Sequence, residues 1–290
     1  MMKAEKNWPL VGFTALSPIA IGGLTGLLAV REGPRAGIDW NALAFLGVAL
    51  LALVASSLHL GRPFQAYRAM ARLSTSWLSR EVVLFGFFVL LLAAYALPLY
   101  PRGLADVRST LGVLATMVGY LSLWATGEVY RLPSRPAWDH WRTTASLISG
   151  SLGAGLLLGK FAAQVGGASE NGGTTAATAM AAVALLFSCT ITCLRARRPA
   201  PARAEEFAAW QVVMGPCRWL LGVRIGGAFC ALVLLPTGSL SIIAWVPAAI
   251  GEVADRVLFF RAVVPVSMAK RAGVLPFEPV GFPADGRKIP

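Results

Sequence analysis

Runs of about twenty apolar residues, separated by short connections studded with arginine, recur along this chain. A helix needs about 20 such residues to cross the hydrocarbon of a bilayer. Eight runs meet that length: 8–30, 41–60, 80–99, 107–130, 143–161, 174–194, 219–235 and 240–261. They are continuous rather than alternating, which argues against membrane strands, and backbone in lipid must satisfy its polar groups inside a helix or a closed barrel. The pattern predicts an all-α integral membrane protein with eight transmembrane helices. Two four-helix bundles, about 8–130 and about 143–261, would make up a membrane domain of residues 1–265. The Gly150-Ser-Leu-Gly-Ala-Gly155 stretch reads as a close helix contact.

Composition sharpens the class. At 290 residues, 56% hydrophobic, 14% charged and mean hydropathy +0.65, the chain lacks the polar surface a water-soluble fold requires. The first run is long enough to span and lacks the short apolar core and small-residue cleavage site of a secretory leader. Residues 266–290, with Pro276-Phe-Glu-Pro-Val-Gly-Phe-Pro, are too rich in proline for a helix and read as an extended tail draped over another subunit. The four cysteines read as small buried hydrophobes. Cys189 and Cys193 lie one turn apart, but no His or carboxylate beside them completes a metal site.

Charge alternates from one connection to the next. Twenty of the 26 Lys and Arg residues fall on the side shared by both termini and the connections after the second, fourth and sixth runs. The opposite side holds Arg31, Arg35, Arg102, Arg108 and Lys160, and Arg224 lies within a run. The positive-inside rule then places both termini in the cytoplasm of a bacterial inner membrane; an acidic protein facing these arginines would produce the same bias. Between the second and third runs, Pro63 is placed to start a short interfacial helix. Phe64, Tyr67 and Ala71 fall on one face and Gln65, Arg68 and Arg72 on another, to meet lipid phosphates or a docked partner.

Of two histidines, His140 falls in a connection and His59 ends the second run, in Ser56-Ser-Leu-His59-Leu-Gly-Arg62-Pro63. An ionisable group at membrane depth is a functional-site candidate, and imidazole trades protons near neutral pH. Glu81 lies one turn into the third run on the same side. A His and a carboxylate flanking an apolar slot suit a quinone: the His donates to a carbonyl oxygen and the carboxylate orients it or exchanges protons with water. Ser56, Arg62, Arg80 and Tyr130 gather at that end and complete the quinone-binding set. The competing reading is an interfacial His, a Glu at a helix N-terminus, two interface arginines and an aromatic-belt tyrosine. Glu252 and Arg256, one turn apart, form a structural ion pair. One His at membrane depth cannot supply the axial pair of a b-type haem, and no cysteine run would hold an iron–sulfur cluster. No haem, metal or catalytic centre is therefore expected in the chain. Electrons would need an organic carrier, ubiquinone or menaquinone, and a neighbouring subunit.

At these residues the sequence resembles the anchor subunit of the dimethyl sulfoxide reductase family, DmsC, within the wider NrfD-like group. The likeness rests on Trp8-Pro9-Leu10, on Leu58-His59-Leu60-Gly61-Arg62-Pro63 running through Arg72 to Leu78-Ser79-Arg80-Glu81, on Val129-Tyr130 with Pro136-Ala137-Trp138, and on Gly251-Glu252 with Arg256 and Phe259. The resemblance implies an anchor that holds a ferredoxin-like iron–sulfur subunit and a molybdopterin catalytic subunit at the membrane and exchanges electrons with the quinone pool. It assigns His59 and Glu81 to the quinone site and Arg68, Arg72, Arg131 and Arg135 to the surface receiving the iron–sulfur subunit. The cytoplasmic bias of the His59 side points to a sulfite-oxidising relative of the SoeC type; the alternative is a quinol-oxidising anchor of a DMSO-reductase-type complex. A secondary transporter would share the buried charges but should show Gly/Pro-broken helices near the midplane of both halves. Pro98, Pro236 and Pro247 fall near run ends or singly.

Overall fold

Helices account for every regular element among the described residues, which are 7–31, 38–58, 70–97, 105–168, 171–199, 204–235 and 241–262 of a computed structural model. In chain order they are α1 Trp8–Val30, α2 Trp40–Leu58, α3 Trp77–Ala96, α4 Ala105–Tyr130, α5 Trp141–Gly150, α6 Leu156–Val165, α7 Gly172–Ala196, α8 Ala204–Met214, α9 Arg218–Leu234 and α10 Ser241–Arg261. A π turn, Ser151–Gly155, joins α5 to α6 without a break. Among the described residues, six helices are long and apolar enough to cross a membrane, with α5 and α6 counted as one, and a seventh follows if α8 and α9, bent by 73°, form one span. α10 is 21 residues long but carries Glu252, Asp255 and Arg256 in its second half, so composition alone does not mark it as a span. Helix α8 was not expected from the pattern. At 11 residues it is invisible to a search for runs of about twenty.

Local signals set several ends. Pro9 opens α1, where a missing N–H costs nothing. The Ser76 hydroxyl accepts from the Ser79 N–H at the start of α3. Asn171 and Thr174 exchange side-chain and backbone bonds, both 2.9 Å, in a capping box that opens α7. The Asn171 amide also donates to the Val30 carbonyl at 3.1 Å, which ties the start of α7 to the end of α1.

α1 is the central helix. Fifteen of its 23 residues are buried, consistent with a sequence apolar on all sides. It packs on α2 and α4 and, from the second half of the chain, on the π turn, α6, α7 and α10. Toward α2–α4 the core is Ile21, Leu24, Leu27, Phe45, Phe85, Phe88 and Leu92. Toward the second half the backbones themselves meet: Gly22 and Gly26 face Gly155 and Gly159, and a β-carbon on Gly155 would lie 2.6 Å from the Gly22 Cα. Two glycines four apart on each helix allow this approach.

Outside, Leu51, Val54, Phe87, Leu90, Val183 and Phe229 are exposed, an apolar surface suited to acyl chains. Cys193 and Cys230 share that surface and Cys189 is half-buried, leaving Cys217 alone as a buried cysteine. The expectation of four buried thiols is corrected: the helices carrying Cys193 and Cys230 turn those faces away from the bundle.

Among the described residues, the cations of the sparsely charged side turn inward. Arg31 pairs with Asp39, Arg108 donates to the carbonyls of Tyr95 (2.8 Å) and Ala96 (3.3 Å), and Lys160 donates to Thr178 at 2.9 Å. Their charge therefore adds little to that face, and the asymmetry across the bundle is steeper than the count implies.

Replacing Gly159 with Val would drive side-chain carbon into the Gly23 carbonyl and to within 2.7 Å of the Leu27 nitrogen. Thermal unfolding in detergent should register a loss of more than about 3 kcal/mol. Gly86→Ala, at a site with nothing within 4 Å, should be neutral or stabilising by up to about 1 kcal/mol.

Candidate functional site

The site builds outward from the first turns of α3. The Arg80 guanidinium turns back over the connection before the helix. It donates to the carbonyls of Leu73 (2.9 Å) and Ser74 (2.7 Å) and lies over the Trp77 ring at 4.3 Å. The next residue round the helix, Glu81, consequently faces the interior and is only 7% exposed. Its carboxylate accepts a bond from the Thr126 hydroxyl of α4 at 2.8 Å. Among the described residues it has no cation within ion-pair distance. A carboxylate at membrane depth with a hydroxyl rather than a cation as partner is the arrangement expected of a functional group.

One turn beyond Thr126, the Tyr130 hydroxyl lies within electrostatic reach of both Glu81 and Arg256. Its ring is boxed edge-on by Trp138 at 5.4 Å and by Phe259 and Phe260 at 5.5 Å. Trp138 stacks on Phe259 at 4.9 Å and donates its indole N–H to the Phe259 carbonyl at 3.0 Å. The box fastens the connection after α4 to the end of α10.

Beyond Tyr130 runs a buried network of charge. Arg256 donates to Glu252 one turn back at 3.0 Å and to the Ser146 carbonyl and hydroxyl at 2.8 and 3.2 Å. Asp255 pairs with Arg195 at 3.3 Å, and Arg195 also reaches Ser146 at 3.0 Å. Arg224 contacts the second Glu252 oxygen at 3.3 Å and bonds the Ser188 hydroxyl. Residues of α5, α7, α9 and α10 are thereby tied together. Glycine at 150 is required for room, because a β-carbon there would overlap the Glu252 carboxylate. The Nε and Nη1 groups of Arg224 are buried without a partner among the described residues.

On the outer face of α3 and α4, an open apolar groove of about 320 Å³ is lined by Trp77, Val83, Leu84, Leu121 and Trp124, with Arg80 at its end. The two indoles meet edge-on at 5.2 Å.

Of the residues singled out from sequence, His59, Arg62 and Arg68 lie outside the described residues, as do most of the expected interfacial helix and the whole C-terminal tail. Ser56 is half-buried near the end of α2, and its neighbour Ser57 bonds back to the Leu53 carbonyl at 2.9 Å. Glu81 and Tyr130 share one interior region, whereas Arg80 faces away from it. Arg72 is exposed, Arg131 pairs with Glu128 at 2.8 Å, and Arg135 lies over the Trp138 ring at 4.6 Å. Sequence reasoning missed Thr126 and the cross-helix partners of Arg195 and Arg224. The Glu252–Arg256 spacing is a local signal; contacts between helices have none.

These features define a helical transmembrane protein with buried ion pairs and, among the described residues, one buried carboxylate without a counter-ion. The chain belongs to the DMSO reductase anchor subunit (DmsC) family, which it matches over residues 1–260. It is 28% identical over 147 residues to a component of the anaerobic dimethyl sulfoxide reductase of Haemophilus influenzae, covering 48% of this chain and 52% of that one. It is 40% identical over 98 residues to a subunit of the sulfite dehydrogenase of Allochromatium vinosum, 29% and 30% of the two chains. A component of the Escherichia coli anaerobic dimethyl sulfoxide reductase is 26% identical over 91% of this chain and 97% of its own length. The matched segments thus span about half and about a third of the first two relatives. No solved structure matches.

Glu252→Ala would leave Arg224 buried with no carboxylate and Arg256 with only Asp255, at 3.9 Å. Unfolding of the purified protein should show a loss of about 3–5 kcal/mol, the range for breaking a buried pair from one side.

Proposed function

We propose that this chain is the membrane anchor of a molybdopterin oxidoreductase complex, with a quinone site formed by Glu81, Thr126 and Tyr130 on the side where His59 ends the second run. The observation that carries this reading is the buried Glu81 carboxylate, held by Thr126 and without a cation among the described residues. The apolar groove on the outer face of α3 and α4 offers a lipophilic ring and tail a lateral approach to the same pair of helices. A bound quinone would supply two-electron, two-proton redox chemistry. The residues of this chain bind, orient and exchange protons. His59 donates to a carbonyl oxygen, Glu81 accepts or returns a proton, Thr126 fixes the carboxylate, and Ser56, Arg62 and Tyr130 border the site. Arg80, turned to the connection before α3, holds Trp77 at the groove. The exposed Arg72 and Arg131, with Arg68 and Arg135, receive a ferredoxin-like iron–sulfur subunit that hands electrons to or from the molybdopterin subunit. The Glu252–Arg256 pair serves structure.

The reading extends to membrane topology. α10 crosses as an eighth helix, because its charges are neutralised inside the protein. Both termini then lie in the cytoplasm of a bacterial inner membrane, supported by the arginine asymmetry and the internal pairing of Arg31, Arg108 and Lys160. That orientation, with the 40% identity to part of a sulfite dehydrogenase subunit, favours sulfite oxidation with quinone reduction. The broader coverage of the Escherichia coli dimethyl sulfoxide reductase component favours the reverse flow, and supplying sulfite or dimethyl sulfoxide to the assembled complex separates the two.

In that complex, His59→Ala and Glu81→Gln should each lower quinone-linked turnover by about a hundredfold or more. Turnover with a soluble dye that bypasses the membrane should be unchanged. Full quinone-linked turnover in both variants would overturn the quinone site. Thr126→Val, which frees the carboxylate without removing it, should cause a smaller loss of about tenfold, in line with one hydrogen bond to a charged group.

A further inference from the structure

A second recess, of about 230 Å³, opens at the arginine-rich end of the bundle and shares no lining residue with the α3–α4 groove. The end of α7, the connection before α5, α8 and the end of α10 enclose it. Leu194, Val213, Leu258 and Phe259 form an apolar floor, and Trp138 and Trp210 stand as walls. Around them lie the cations Arg142, Arg197 and Arg198, against one carboxylate of the lining, Glu206. Arg195 also lines the recess, but Asp255 neutralises it.

The recess is built rather than incidental. The Trp210 indole N–H donates to the Ala196 carbonyl at 2.9 Å and pins α8 over the end of α7. Arg198 lies over the rings of Phe207 and Trp210 at 5.5 and 5.8 Å, which holds its guanidinium at the rim. Arg142 donates to the Leu194 carbonyl at 2.9 Å and is held against the wall. Arg197 and Arg198 are exposed and have no hydrogen-bond or ion-pair partner among the described residues. A 73° bend separates α8 from α9; with α9 spanning the bilayer, α8 would lie close to the membrane plane and the recess at headgroup level.

We propose that this recess binds the phosphate headgroup of an anionic phospholipid, with the glycerol and first acyl carbons on the apolar floor. A basic pocket between helix ends at the interface suits such a headgroup. A quinone ring is neutral and would leave the cations uncompensated. Dissolved phosphate would use the arginines and leave the floor unused. An acidic segment of a docked protein would lie across the rim instead of entering it. The volume falls below the about 300–1,000 Å³ of sites that enclose a whole drug-sized ligand, which fits a headgroup whose acyl tails remain in the bilayer.

The test uses the full chain purified in non-ionic detergent and titrated, by native mass spectrometry, with phosphatidylglycerol, phosphatidylcholine of the same acyl composition, or sodium phosphate. The wild type should retain one phosphatidylglycerol in preference to phosphatidylcholine. Arg197→Gln and Arg198→Gln should each weaken that retention about fivefold and the double variant about thirtyfold, with an unchanged melting temperature. Equal retention of the two lipids, or equal retention by wild type and double variant, would overturn the proposal. Displacement by sodium phosphate at equimolar concentration would overturn it in favour of a free-anion site. Loss of the partner subunits from the double variant, with phosphatidylglycerol retention intact, would overturn it in favour of protein docking.

Discussion

Charge buried in a lipid-embedded body has to be neutralised by the protein itself, and the second half of this chain is organised around that requirement. Glu252 and Asp255 on α10 face Arg256 on the same helix, Arg195 on α7 and Arg224 on α9, while Ser146 on α5 and Ser188 on α7 take up further guanidinium bonds. In a medium with almost no water, removing Glu252 would strand Arg224, and removing Asp255 would strand Arg195. Four helices are thereby locked to one another by a device that apolar packing in lipid does not provide, since acyl chains are as apolar as leucine.

Packing supplies the rest through close approach. The meeting of Gly22 and Gly26 with Gly155 and Gly159 lets α1 lie against the π turn and α6 almost backbone to backbone. This contact makes α1 the axis on which both halves of the chain rest. The π turn falls directly after Gly150, the residue that leaves room for the Glu252 carboxylate. Helix contact and charge network therefore meet at one stretch of α5–α6, as π turns often do at positions under functional constraint.

Glu81 stands apart from this pattern of pairs. Every other buried carboxylate among the described residues (Asp39, Glu252 and Asp255) has an arginine partner, and Glu81 has a threonine. Tyr130, within reach of both Glu81 and Arg256, is the point where the unpaired carboxylate and the paired network adjoin. The proposed site for proton exchange thus adjoins the network of ion pairs, at the end of the bundle where the arginines are densest. The chain belongs to an anchor-subunit family, and the proposed function makes that end the meeting place of membrane and partner subunits.

The helical class was legible from sequence because spanning length and continuous apolarity are local properties, and the family followed from short motifs around the second, third and last runs. Glu81 and Tyr130 stood out by residue type and by their position near a run end. Other features left no local trace. α8 is too short to register as a span, and whether α8 and α9 cross as one span depends on a bend. Cys193 and Cys230 face outward because of how their helices are rotated. Residue identity and spacing determined that the chain forms helices of membrane-crossing length and where along it the positive charge falls. Only the tertiary structure decided which charges meet: hydrophobic partitioning acts on each segment alone, whereas an ion pair between helices exists only once their faces and depths are matched.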